Sequence, residues 1–196
     1  DQSSDHTGHT TGVVYDTTNY TTTGATGYGA GGTSTTDLAA IYGDSMSMVG
    51  GAGSTLDSMK FAVFCSSSSA AALTSATETI RFYRASDSSY IGGFNVTLGS
   101  LTKGYYSVYT VNSLSALGIS FDTDNIIVTQ QLSNVVGATR MGTVFGNNIT
   151  SPAPAVGSTT AGLYMSNSTT TAGFYTFTGY AANSNGVYQF SGIDAP

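Results

Sequence analysis

Two histidines, His6 and His9, stand with Asp5 in the stretch SDHTGH, and they are all the imidazole the chain contains. An acyl-transfer triad needs a nucleophile, a base and an orienting acid. No Gly-x-Ser-x-Gly elbow accompanies these histidines, so histidine-based catalysis is not expected. A closed zinc site takes about four ligands fixed by the fold. With no cysteine nearby, Asp5, His6 and His9 read as a solvated patch, and neither metal nor cofactor is expected.

Carboxylate chemistry has five candidates: Asp44, Asp57, Glu78, Asp122 and Asp124. Glycoside hydrolysis would require two of them about 5–10 Å apart across a cleft. Most sit beside Gly, Ser or Thr, the usual setting of Asx turns and caps, and that is the role expected of them. The stretch DTDN (122–125) offers side-chain oxygens at 122, 124 and 125. It lacks the glycine and the bidentate glutamate of a calcium loop, so it reads as a turn. Cys65 is the single cysteine, which excludes an intrachain disulfide. It reads as a small buried hydrophobe at a strand end, the sharper alternative being a link to a second chain. No active site is expected, and the chain is read as a non-enzyme.

Glycan attachment is the remaining side-chain chemistry. Asn-x-Ser/Thr sequons occur at Asn19, Asn95, Asn148 and Asn167. Each is a candidate glycosylation site, although a chain so rich in hydroxyls generates several by chance.

The elements that hold these residues follow from composition. The 196 residues are 40% hydrophobic and only 8% charged, against about a quarter charged in ordinary domains. Polarity comes instead from 27 Ser and 31 Thr, with 25 Gly beside them. Thirteen Tyr, nine Phe and abundant Val and Thr favour strands, because branched and aromatic side chains suit a pleated surface. A net charge of −6 argues against nucleic acid and against anionic membrane surfaces, both of which need basic patches. No run approaches the roughly 18 apolar residues of a membrane span, so membrane insertion is not expected. The first residue is Asp1 rather than Met, which suggests an export signal already removed.

Residues 1–36 read as an extended Thr/Gly-rich arm, with twelve threonines and no Lys or Arg. Inside it Val13, Val14 and Tyr15 form one β-prone cluster. Residues 37–196 read as an antiparallel β-sandwich of jelly-roll type, with ten to twelve short strands between Gly, Asn and Ser turns. ETIRFYR (78–84) alternates well, GYYSVYTV (104–111) is the richest strand, and LSALGI (114–119) suits a single helical turn. Ile80, Phe82, Val108, Ile127 and Val144 are the expected core.

The phrases LDSMKFAVFC, ETIRFYR, GYYSVYTV, DNIIVTQQL, ATRMGTVFG, GFYTFTGY and GVYQFSG resemble, over about residues 38–192, exported β-sandwich proteins of the planctomycete type. Such proteins often carry a C-terminal sorting tail of the PEP type. The ending SGIDAP has neither a hydrophobic anchor nor a basic tail. The resemblance implies an extracellular or cell-surface role and supplies no catalytic residues.

A lone strand leaves its backbone donors and acceptors unpaired. The arm is therefore expected to add to a sheet edge, in its own domain or in the next subunit. In the second case Val13, Val14 and Tyr15 form a donor strand, with Val13 and Tyr15 pointing one way and Val14 and Asp16 the other. Gly24 to Gly32 would be a flexible connector. Head-to-tail strand donation builds a homopolymer, so the partner expected is the chain itself, in an extracellular filament or surface assembly. The alternative is a secreted carbohydrate-binding or adhesive module acting as a monomer and contacting surface glycans. The chain has no Trp; its thirteen tyrosines could stand in as sugar platforms, but Tyr105, Tyr109 and Tyr175 lie in strongly patterned strands and are expected to pack in the core or on the sheet surface.

Overall fold

The structure is a computed structural model and describes residues 11–19, 26–30, 41–146, 153–159, 164–166, 175–176 and 185–194. These residues include fourteen strands and a 3-10 turn at Leu114–Leu117, joined by turns and loops. The first sheet contains β1 (Thr11–Asp16), β2 (Thr26–Ala30), β4 (Ser54–Cys65), β7 (Tyr106–Val111), β9 (Met141–Gly146), β13 (Asn185–Gly186) and β14 (Tyr188–Asp194). The second contains β3 (Ile41–Ser47), β5 (Ser75–Arg84), β6 (Tyr90–Leu98), β8 (Asn125–Val136), β10 (Ser158–Thr159), β11 (Tyr164–Ser166) and β12 (Tyr175–Thr176). The ladders are antiparallel. From β4 to β9 the chain passes repeatedly from one sheet to the other, the antiparallel β-sandwich read from the sequence.

Strand β5 shows how the pattern builds the core. Ala76, Glu78, Ile80 and Phe82 face inward and are buried, while Thr77, Thr79 and Arg81 stay partly exposed. The same period of two places Ile126, Val128, Gln130 and Leu132 of β8 inward. Facing them are Leu56, Met59, Phe61, Val63 and Cys65 of β4. An aromatic chain ties the layers together. Phe82 packs edge-on against Phe121 at 5.4 Å and Phe190 at 5.5 Å, and Phe190 stacks on Tyr15 at 5.6 Å. Such pairs contribute about 0.5–1.5 kcal/mol each beyond their burial.

Three irregularities set the faces. Asp57 is the extra residue of a bulge in β4, between the pairs Ser191–Ser58 and Gly192–Leu56. Ile91 is skipped between the pairs Phe82–Gly92 and Tyr83–Tyr90, beside the Gly92-Gly93 interruption. Gly137, at φ +91°, turns β8 toward β9, and a Cβ there would lie 2.5 Å from the Ala72 carbonyl oxygen. Only glycine fits that turn without strain.

Four of the five expected core residues are buried, on different faces. Ile80 and Phe82 lie between the sheets. Val144 packs in a second cluster with Ala62 and Val187, and Ile127 is paired with Ser45 and Tyr83 on the outward face of the second sheet. Val108 is 38% exposed instead. Among the described residues its strand pairs only with β4, and Ser107, Tyr109 and Val111 take its inward positions. Alternation alone cannot tell an edge strand's outer face from its inner one. LSALGI supplies the 3-10 turn at Leu114–Leu117.

Candidate functional site

The Val13–Tyr15 cluster is a strand, and β1 pairs with β14 of the same chain. The register skips Val14 between the pairs Val13–Ser191 and Tyr15–Phe190. This bulge turns Val14 and Tyr15 to the core side together, while Val13 is 41% exposed. The expected sharing of a face by Val13 and Tyr15 is thereby corrected, because a bulged residue breaks the period of two. Tyr15 is fully buried against Phe190. The strand end is tied down by the Asp16 carboxylate, which accepts from Gln189 Nε2 at 2.8 Å and from the Thr18 amide at 2.8 Å. Thr17 Oγ1 donates to the Gly186 carbonyl at 2.8 Å and accepts from the Tyr188 amide at 2.9 Å. Residues 26–30, read as connector, form β2 against β9.

The five acids separate into surface and interior. Asp122 holds Arg84 at 2.8 Å on the surface, and the guanidinium keeps its carboxyl below the usual range. Asp124 Oδ1 accepts from the Gly51 and Ala52 amides, each at 2.8 Å. The DTDN stretch, read as a turn, bends at Asp122 and Asp124 and runs directly into β8, of which Asn125 is the first residue. Asp124→Ala should lower stability by about 1–3 kcal/mol, since two amides lose a charged acceptor. In a chain this size that is about 3–10 °C in thermal midpoint by circular dichroism. Asp122→Ala, at an exposed pair, should leave the midpoint nearly unchanged.

Asp44 and Glu78 are not turn residues. They sit in the strands β3 and β5, on inward faces, at 0% and 1% exposure. Burial pushes the Glu78 carboxyl up to about 8. Burial also raises Asp44 well above the ordinary carboxylate range, partly offset by hydrogen bonds from the Gly186 and Ser45 amides. Beside them Gln130 Nε2 donates to Thr143 Oγ1 at 2.8 Å and to the Tyr188 hydroxyl at 2.7 Å. Tyr188 is raised by burial and by the nearness of Asp44 and Glu78. Half-buried Tyr109 is raised by burial and then by Glu78. The result is a buried polar cluster between the sheets, built from Asp44, Glu78, Gln130, Thr143 and Tyr188. At neutral pH it holds Glu78 as an uncharged acid among hydroxyls and an amide. Among the described residues, both carboxyls are closed off from solvent.

Sequence reading missed Gln130, Thr143 and Tyr188, whose roles depend on the packing of the two sheets. Among the described residues no group of three or more His, Cys, Asp and Glu gathers to hold a metal. Cys65 is buried, as read, with its thiol 3.8 Å from the Ala71 carbonyl. Of the sequons, Asn19 is partly buried with Nδ2 bonded to the Ala153 carbonyl at 2.9 Å. Asn95 is exposed on β6. Asn148, Asn167, Asp5, His6 and His9 lie outside the described residues. A surface pocket of about 390 Å³ is lined by Arg81, Tyr83, Ser88 and Tyr90.

Among the described residues, fold and site define a two-sheet antiparallel β-sandwich whose first strand pairs with β14 and whose interior holds a buried polar cluster. Comparison with protein-family models, with curated proteins and with solved structures finds no match.

Proposed function

We propose that the protein is a non-enzymatic extracellular structural subunit, polymerising by donation of its N-terminal strand to the next copy. The observation that carries this reading is β1 itself. Near the start of the sequence, six residues seat Tyr15 in a core socket beside Phe190 and make their strand ladder with β14. The same residues fit the same socket in a neighbour, since a swapped element keeps its contacts. Ladder hydrogen bonds give affinity and the tyrosine socket gives register. The hydroxyl-rich, charge-poor composition and the resemblance to exported sandwich proteins support the extracellular setting.

Sedimentation and negative-stain images of the full chain should show polymer. A variant lacking residues 1–24 should stay dispersed, and a peptide of residues 10–19 should bind it. Fibres from the truncated chain, or a full chain that stays monomeric at every concentration, would end the proposal.

A second reading rests on the surface pocket, where exposed Tyr90 stands edge-on to Tyr83 at 5.6 Å beside Arg81. Such a site suits a glycan-binding module. Monomeric protein retained on a glycan column, with retention lost in Tyr90→Ala, would favour it over the filament.

A further inference from the structure

We propose that Thr143 and Gln130 form an autocatalytic ester that joins the two sheets through their side chains. The reacting groups are already in contact. Thr143 Oγ1 lies 2.8 Å from Gln130 Nε2. The amide carbon, one bond of ~1.33 Å further, is therefore within about 4 Å of the hydroxyl. In this hydrogen bond the hydroxyl lies near the plane of the amide, so a turn of the amide about its last side-chain torsion has to present the face of the carbonyl carbon at the ~3–3.5 Å of a near-attack geometry. Both residues are buried, so the concentration of competing water is low.

The surroundings supply what acyl transfer needs. The Tyr188 hydroxyl sits 2.7 Å from Nε2 and also hydrogen-bonds Thr143, bridging the proton's origin and destination. Gln130 Oε1 and Glu78 Oε2 are both buried without a hydrogen-bond partner. They come from adjacent strands: Ile80 pairs with Gln130 and Glu78 with Leu132, so Glu78 and Gln130 are diagonal neighbours on one face. Long side chains span that diagonal. A proton on the Glu78 carboxyl, donated to Oε1 when the two side chains turn toward each other, would satisfy both oxygens and polarise the carbonyl. The other groups facing this centre are Asp44, Tyr109 and Tyr188.

The step balances without oxidant or cofactor. Thr143 Oγ adds to Gln130 Cδ, and the hydroxyl proton passes through Tyr188 to Nε2. The C–N bond then breaks, ammonia leaves, and a Cδ–Oγ ester remains. The product ties β8 of one sheet to β9 of the other. This would resist shear between the layers, a useful property in a load-bearing filament.

Intact mass of the purified full chain tests this. The protein should be about 17 Da lighter than its sequence mass, and tandem spectra should show a branched peptide joining Gln130 to Thr143. Mild alkali should open the link and leave Glu at position 130. Thr143→Ser should keep the loss and Thr143→Val should abolish it. Glu78→Gln, which preserves volume but not the acidic proton, should slow its appearance severalfold in freshly refolded protein. An unmodified mass after prolonged incubation of folded wild type would overturn the proposal. So would an ammonia loss that maps to a succinimide at Asn185-Gly186.

Discussion

Between pH 4.5 and 8 the thermal midpoint of the protein is expected to fall by 10 °C or more, and Glu78→Gln is expected to remove the share of that fall that Glu78 contributes. Glu78 is the only glutamate in the chain, and burial raises its carboxyl from 4.5 in the unfolded chain to about 8. Between these values the unfolded chain has lost the proton and the folded one keeps it. Stability therefore declines as pH rises, by about 1.4 kcal/mol per unit, and levels off above the folded value. Across the window the loss is on the order of 4–5 kcal/mol. At about 2–4 °C per kcal/mol this is a shift of 10 °C or more. Asp44 is raised for the same reason and adds a decline of the same sign, so the residual slope in Glu78→Gln should vanish with Asp44→Asn. Calorimetric melts at half-unit intervals decide the matter. A midpoint flat with pH in the wild type would mean that Glu78 is ionised in the fold, through a cationic or solvent partner.

Tyr15→Ala should cost about 3–5 kcal/mol, the usual penalty for emptying a fully buried aromatic site. This is about 10 °C or more in midpoint. The ring is wholly enclosed and stacked on Phe190, which also contacts Phe82 and Tyr188. The cavity would open at the end of the aromatic chain, beside Phe190, whose contacts with Phe82 and Tyr188 keep it from collapsing into the space. Val13→Ala, two residues away and 41% exposed, should change stability by less than about 0.5 kcal/mol. The contrast separates the bulged register from a regular strand, in which Val13 and Tyr15 would share a face. If strand donation assembles the filament, Tyr15→Ala should also abolish polymer under conditions where the variant is still folded. Val13→Ala should leave polymer intact.

The sequence by itself determined the class of fold. Branched and aromatic residues at period two, broken by Gly, Ser and Asn, leave few ways to bury apolar surface other than stacked antiparallel sheets. It also placed Cys65 at the end of a strand, whereas the burial of that thiol depends on the sheet packed across from it. The inward position of Glu78 was equally legible, in phase with Ile80 and Phe82, but a general expectation that acids occupy turns obscured it. Tertiary structure alone decided which alternating positions meet another layer. Val108 repeats the pattern of a core strand yet faces outward, because the pairing of its strand with β4 gives the inward positions to Ser107, Tyr109 and Val111. Val14 and Tyr15 point inward together because a bulge opposite β14 adds a residue. Gln130, Thr143 and Tyr188 are ordinary polar strand residues in the sequence. They form a cluster only because β8 of one sheet faces β9 and β14 of the other, which flank β4 in pairing order. Periodicity is a property of one strand, whereas burial and reactivity arise from which strand lies across the gap.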